Sequence, residues 1–253
     1  MAGGGALGWQ RTPPQYLERL RIGLGMGPDA FVPDTAEGEV RLLRVDSRAM
    51  GEVDLFTAVP AGYGDGAGLP VVVVLHGSSA SAADLRGFGL GRFVTAAVAA
   101  GAPPFVLVGT DDGPTGWVPS GQVDPRRLLR DELPGWLAQR GFDAERRALW
   151  GWSRGGYGAL RFVVEEPAWA AALALFSPAI ESDDPLLRNL GALAQLPWGL
   201  WCGGWDPFRT GAVALADAAP VAPDPWIAGD GGHTRAYWND HTLEMFDWLA
   251  REL

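Results

Sequence analysis

The 253-residue chain contains no lysine: all 20 of its basic residues are arginine. That excludes catalysis through a lysine Schiff base. It has a single cysteine, Cys202, so no intrachain disulfide can form. A reduced cytosol and a disulfide-free exported protein both remain open. Cys202 follows the apolar Leu200 and Trp201 and reads as a small packed hydrophobe. Histidine is also scarce, with three in the chain. Three scattered histidines and one cysteine offer no metal-ligand cluster, so neither a metal nor another cofactor is expected. No G-x-G-x-x-G follows the first parallel-type strand, which argues against a dinucleotide enzyme. No run approaches the ~18 continuous apolar residues of a membrane-spanning helix. The net charge of −10 gives no support to nucleic-acid binding or to an anionic lipid surface. Met1 to Gly8 is small and apolar but lacks a basic flank, so the remnant of an export signal and a plain free end both fit. Oligomeric state has no signature.

The apolar fraction of 47% is ample for a core. Residues 1–39 are rich in Gly and Pro, carry one helix candidate at Pro14 to Arg21, and read as a lead-in to a domain spanning 40–253. Two strand-like stretches, Val40 to Val45 and Val53 to Val59, flank a turn and suggest an antiparallel pair at a sheet edge. Val71 to Leu75 is a continuous apolar run of the kind buried on both faces. Strands and helices then alternate. Helices are expected over Gly91 to Ala100, Arg126 to Arg140 (capped by Asp124 and bent at Pro134), Gly211 to Ala218 and Asn239 to Arg251. Strands are expected at Phe105 to Val108, Ala148 to Trp150, Ala172 to Phe176, Gly199 to Cys202 and Trp226 to Ala228. The alternation predicts an α/β fold, a mostly parallel sheet with helices on both faces. The stretch between Phe176 and Leu196 is too short for a large cap domain.

In such folds ligands bind beyond the carboxyl ends of the strands. His76-Gly77, Asp111-Asp112, Ser153, Asp206 and His233 all fall there. Gly151-Trp152-Ser153-Arg154-Gly155 is a G-x-S-x-G between a predicted strand and the helix-like Tyr157 to Val164, the setting of a nucleophile elbow. Among 36 glycines the pattern alone carries little weight, and a serine at a helix start is commonly just a cap. The added weight comes from its setting, from the His-Gly turn upstream, and from an acid and a histidine downstream in that order.

A serine needs a base in contact with it, and the base needs an orienting carboxylate. His76 is tied into its turn and His241 lies in the last helix, which leaves His233, in the glycine-rich loop Gly229 to Gly232, as the expected base. Asp206, directly after the penultimate strand, is the expected acid; Asp183 and Asp184 are the alternatives. Oxyanion donors are expected from the backbone of Arg154 and of Ser78, and the Arg154 side chain is placed to meet an anionic or polar substrate group. Trp117, Trp152, Trp205 and Trp238 lie near the predicted rim, although several of the 12 tryptophans must simply be core. Trp117, Trp152, Trp238 and Ser79 are the expected substrate contacts, with the loop 111–122 as a partial wall.

These residues resemble the α/β-hydrolase superfamily and, within it, the esterase-D and antigen-85-like esterases. The similarity lies in Gly151-Trp152-Ser153-Arg154-Gly155-Gly156-Tyr157-Gly158-Ala159-Leu160, in Leu75-His76-Gly77, and in Gly232-His233 with Tyr237-Trp238. It covers about residues 40 to 253. The resemblance implies hydrolysis of a small-molecule ester through an acyl-enzyme, with Ser153 as nucleophile, Asp206 as acid and His233 as base. Acyl transfer by the same residues, and a non-catalytic binding protein on the same fold, are the competing readings.

Overall fold

In the computed structural model, residues 30–253 are described, and the helix expected at Pro14 to Arg21 lies outside them. The centre of the fold is one eight-stranded sheet. Its strands are β1 (Val40–Ser47), β2 (Gly51–Ala58), β3 (Val71–Leu75), β4 (Val106–Thr110), β5 (Arg147–Trp152), β6 (Leu173–Phe176), β7 (Trp198–Trp201) and β8 (Trp226–Ile227). The order across the sheet is β1-β2-β4-β3-β5-β6-β7-β8. β1 and β2 pair antiparallel, β2 pairs antiparallel with β4, and every other pairing is parallel.

Side chains alternate across a strand, so a doubly covered strand must be apolar at every position. In β3, Val71, Val73 and Leu75 join one core and Val72 and Val74 join the other. β6 repeats the division, with Leu173 and Leu175 on one face and Ala174 and Phe176 on the opposite one. The second face is covered by α2 (Leu90–Ala99) and α7 (Arg235–Glu252), through Phe93, Val94, Phe246 and Leu249. The first is covered by α5 (Arg154–Glu165) and α6 (Arg209–Ala218), and by the segment 125–139. A short α1 (Asp84–Gly87) precedes α2. Residues 30–39 run over α2 and α7: Phe31 stacks edge-on to Phe93, and Asn239 Nδ2 donates to the Phe31 carbonyl at 2.7 Å.

The expected helix at Arg126 to Arg140 is present in three pieces. Asp124 caps α3 (Pro125–Arg127) by accepting from the Arg126 and Arg127 amides, with Pro125 inside the first turn. A π turn over Leu128–Glu132 follows, then α4 (Leu133–Gln139). Proline has no N–H and crowds the carbonyl four residues back. The widened turn immediately before Pro134 lets the helix continue past it. The same turn buries Glu132, whose carboxylate accepts from the Arg48 and Ala49 amides at 3.1 and 3.0 Å and so fastens the β1–β2 turn.

Two helices begin three or four residues earlier than periodicity indicated. α5 starts at Arg154 rather than near Tyr157, and α7 at Arg235 rather than Asn239. The first turn of α5 carries Gly155 and Gly156, poor helix formers that are there for clearance. A Cβ on Gly155 would lie 1.9 Å from the Leu75 carbonyl oxygen, and one on Gly151 would lie 2.4 Å from the Gly155 oxygen. The helix therefore crosses β3 and β5 at backbone contact, and no side chain can give way. We expect Gly155→Ala to cost about 3 kcal/mol or more, which at this chain length lowers the melting temperature by roughly 6–12 °C. Thermal denaturation measures it, and an unchanged melting temperature contradicts the close approach.

Candidate active site

The chain runs from β3 to β4 on one side of β3 and then places β5 on the other. The ends of β3 and β5 thus form the switch point at which open α/β sheets bind ligands. Leu75 pairs with Gly151, so the His76-Gly77 turn and the Ser153 turn leave the sheet side by side.

Ser153 has φ 56° and ψ −124°, a region a non-glycine residue occupies only when its surroundings force it. The Ser153 amide donates to the Phe176 carbonyl at 2.9 Å, and the Ser153 carbonyl accepts from the Ala179 and Tyr157 amides at 2.9 and 3.1 Å. These bonds pin the turn from both sides. Although Ser153 occupies the N-cap position of α5, its hydroxyl makes no capping bond. The hydroxyl points instead at His233: Oγ lies 2.8 Å from Nε2.

The other ring nitrogen, Nδ1, lies 2.9 Å from Asp206 Oδ2 and 3.2 Å from Oδ1. An ionised carboxylate can only accept, so Nδ1 is the donor to Asp206, and in the neutral imidazole Nε2 is then the acceptor facing the serine. Asp206 is 5% exposed, and its Oδ1 also accepts from the Phe208 amide at 2.9 Å. The imidazole is held between the Phe208 and Trp238 rings, at centroid distances of 5.2 and 5.0 Å. Trp238 is fixed in turn by its Nε1, which donates to Ser177 Oγ at 3.0 Å. Thr234, next after His233, accepts from the Tyr237 amide and caps α7, so the early start of that helix positions the histidine loop.

Of the alternative acids, Asp183 is exposed, and Asp184 accepts from the Leu186 amide at 2.8 Å, capping a single 3-10 turn. Neither meets His233. His76 is fully buried, its Nδ1 2.9 Å from the Gly77 carbonyl oxygen. Cys202 is also fully buried, and burial pushes its thiol up to about 12, so it is inert.

A cleft of about 340 Å³ opens over Ser153 and is lined from three strand ends. Gly77, Ser78 and Ser79 follow β3, Trp152 ends β5 and Ser153 follows it, and His233, Thr234, Arg235 and Trp238 follow β8. Of the expected contacts, Ser78, Ser79, Trp152 and Trp238 are at the cleft. Trp117 is not, and that expectation is corrected. Trp117 is 3% exposed; its Nε1 donates to the His76 carbonyl at 2.9 Å, and its ring lies where a Cβ on Gly158 would fall. It buttresses the His-Gly turn from beneath. No residue of the loop 111–122 lines the cleft either, and Asp111 accepts from the Asp54 and Ala82 amides.

The Arg154 side chain is engaged by Asp112 and does not line the cleft. Burial pushes the Asp112 carboxyl above its ordinary range, opposed by His76 and Arg154. This pair clamps the residue that follows Ser153. The sequence pattern missed the clamp, and it missed Arg235 and Phe88, whose ring sits beneath the Arg235 guanidinium at 4.3 Å. Arg235, two residues beyond the expected base, was the available signal for that wall.

Residues 47–244 match the model of the family described as "Putative esterase". The chain belongs to this family. A curated relative, the "Putative esterase NocK" of Nocardia uniformis subsp. tsuyamanensis, is 32% identical over 167 residues, covering 62% of this chain and 47% of that protein. The chain thus spans about half the length of that curated relative. Among solved structures, a ferulic acid esterase superposes with a TM-score of 0.76 at 17% identity, covering 86% of this chain and 100% of the other. An S-formylglutathione hydrolase from Agrobacterium tumefaciens gives 0.70 at 18% identity, covering 89% and 100%. The feruloyl esterase module from Clostridium thermocellum gives 0.72 at 14% identity, covering 90% and 93%. The fold is that of the α/β-hydrolases, as the strand–turn–helix around Ser153 implied. Among the described residues of this esterase-family chain, no helix is long and apolar enough to cross a membrane.

Proposed function

We propose that this protein is a serine esterase that cleaves small carboxylic esters through a covalent acyl-enzyme. The observation that carries the reading is the unbroken chain Ser153 Oγ–His233–Asp206, with contacts of 2.8 and 2.9 Å, at the floor of an open cleft. Family membership supports the same activity. A binding protein on this fold has no need of a serine held at positive φ and aimed at an oriented imidazole.

In this mechanism Ser153 Oγ attacks the ester carbonyl carbon as His233 Nε2 takes the hydroxyl proton. Asp206 holds the ring and stabilises the imidazolium. Negative charge develops on the former carbonyl oxygen and is met by backbone N–H groups of Arg154 and Ser78. The Arg154 amide belongs to the first turn of α5, where N–H groups have no intrahelical acceptor. Collapse breaks the ester C–O bond, and the alcohol leaves with the proton from His233. Water, deprotonated by His233, then attacks the acyl-enzyme and releases the acid. The rings of Trp152 and Trp238, 6.3 Å apart, offer an apolar wall to the substrate body.

The test is covalent. A fluorophosphonate probe should label one residue, Ser153, and 4-nitrophenyl esters should release a burst of one 4-nitrophenol per active site if deacylation is the slower step. Folded protein that neither takes the probe nor turns over any ester of a chain-length series rejects the proposal.

A further inference from the structure

The cleft over Ser153 carries a charge pattern that ester hydrolysis alone does not require. The chain holds 30 acidic residues against 20 basic ones, yet among the described residues no carboxylate lines the cleft. Among the described residues, the fixed charge on its wall is the guanidinium of Arg235. The other cationic side chain beside the nucleophile, Arg154, is neutralised by Asp112. Arg235 forms no ion pair among the described residues, whereas Arg86, Arg130 and Arg251 each do.

The Arg235 guanidinium is also held in place. It lies over the Phe88 ring at 4.3 Å, and Phe88 packs edge-on against Trp152 at 6.3 Å, so the cation belongs to the same aromatic wall that flanks Ser153. Stacking keeps the planar fork ordered while leaving its N–H edge free for an anion. The residue opens α7, whose first turn contains no acid, so the helix dipole adds to the positive potential. Ser78 and Ser79, both exposed, bring hydroxyls to the same cleft.

We infer that the cleft selects esters carrying a carboxylate group, with Arg235 as the residue that recognises it. This rests on the serine-esterase reading above, because it assigns a substrate class to that same site. The apolar body of the substrate lies along Trp152 and Trp238, and its carboxylate pairs with the Arg235 fork. The cleft volume of about 340 Å³ suits a molecule of this size.

Two matched pairs of esters test it on wild type and Arg235→Gln. Mono-4-nitrophenyl adipate is compared with 4-nitrophenyl hexanoate, which places the charge on the acyl side. 4-Acetoxybenzoate is compared with its methyl ester, which places it on the leaving group. The readout is the ratio of kcat/KM for charged over neutral ester, so intrinsic reactivity and any general loss of activity cancel between the two proteins. In at least one pair the ratio should fall about tenfold or more in Arg235→Gln, mainly through KM, the size expected for a charge-assisted hydrogen bond. Added salt should narrow the wild-type preference, since the cation is solvent-accessible. Ratios that stay within twofold in both pairs, with ester turnover intact, overturn this inference and leave the esterase reading standing. Absence of turnover together with absence of fluorophosphonate labelling rejects the esterase reading itself, and this inference with it.

Discussion

Ser153→Ala should lower kcat on 4-nitrophenyl esters by about 10⁵–10⁶-fold and abolish fluorophosphonate labelling, with the melting temperature close to wild type. The size follows from what is removed. The hydroxyl is the atom that would bond to the acyl carbon, and no other hydroxyl or thiol is in contact with His233 among the described residues. Cys202 is fully buried with its thiol pushed up to about 12, so it cannot substitute. Residual activity should stay well above the uncatalysed rate, because the cleft and the backbone donors survive. Stability should barely move. The Ser153 hydroxyl makes no capping bond, and the bonds that fix the turn belong to the backbone of residues 153, 176 and 179. Alanine inherits the same positive φ, so the backbone cost is present in both proteins. Turnover by Ser153→Ala within tenfold of wild type removes Ser153 from the nucleophile role.

Asp206→Asn should lower kcat by about 10⁴-fold with little change in KM. The substitution conserves shape, and the asparagine oxygen can still accept from the Phe208 amide, as Asp206 Oδ1 does at 2.9 Å. What changes is the partner of His233 Nδ1. A carboxylate accepts at both oxygens, whereas a carboxamide presents an oxygen and an NH₂ and allows the ring to adopt the opposite tautomer. Nε2 then carries the proton and cannot take another from Ser153. The imidazolium formed during attack also loses a buried counter-charge. A pH–rate profile separates these effects from unfolding, since a partly recovered rate at high pH accompanies a misassigned tautomer and not a lost fold. Activity near wild type would mean that His233 is oriented by some other acid.

The elements legible in the sequence were those in which one physical cause dominates. β3 was read correctly because five consecutive apolar residues have no good half-exposed arrangement, and all five are buried. The serine, histidine and aspartate that meet in the cleft were legible because each follows a strand and the fold brings strand ends together. Trp117 was misplaced for the opposite reason. Its position in a loop beside the site says nothing about which way its ring turns, and the space left by Gly158 draws it inward. The starts of α5 and α7 were hidden because Gly155-Gly156 and Thr234-Arg235 do not extend an apolar stripe, and their roles are clearance and capping. The Arg154–Asp112 clamp could not be read at all, since the partners are 42 residues apart and meet through a parallel crossover.

The three residues of the proposed triad do not share equal mechanical support. Ser153 directly follows a six-residue strand between two parallel neighbours, in the middle of the sheet. His233 is carried by the loop after β8, an edge strand of two residues that pairs with β7 at only two positions. Local opening is easiest at such an edge. On warming, His233 should therefore leave register while the Ser153 turn and the core beneath it are still intact. Loss of the proposed activity should then precede loss of fold, with the heat tolerance of that activity set by a short edge rather than by the well-packed centre.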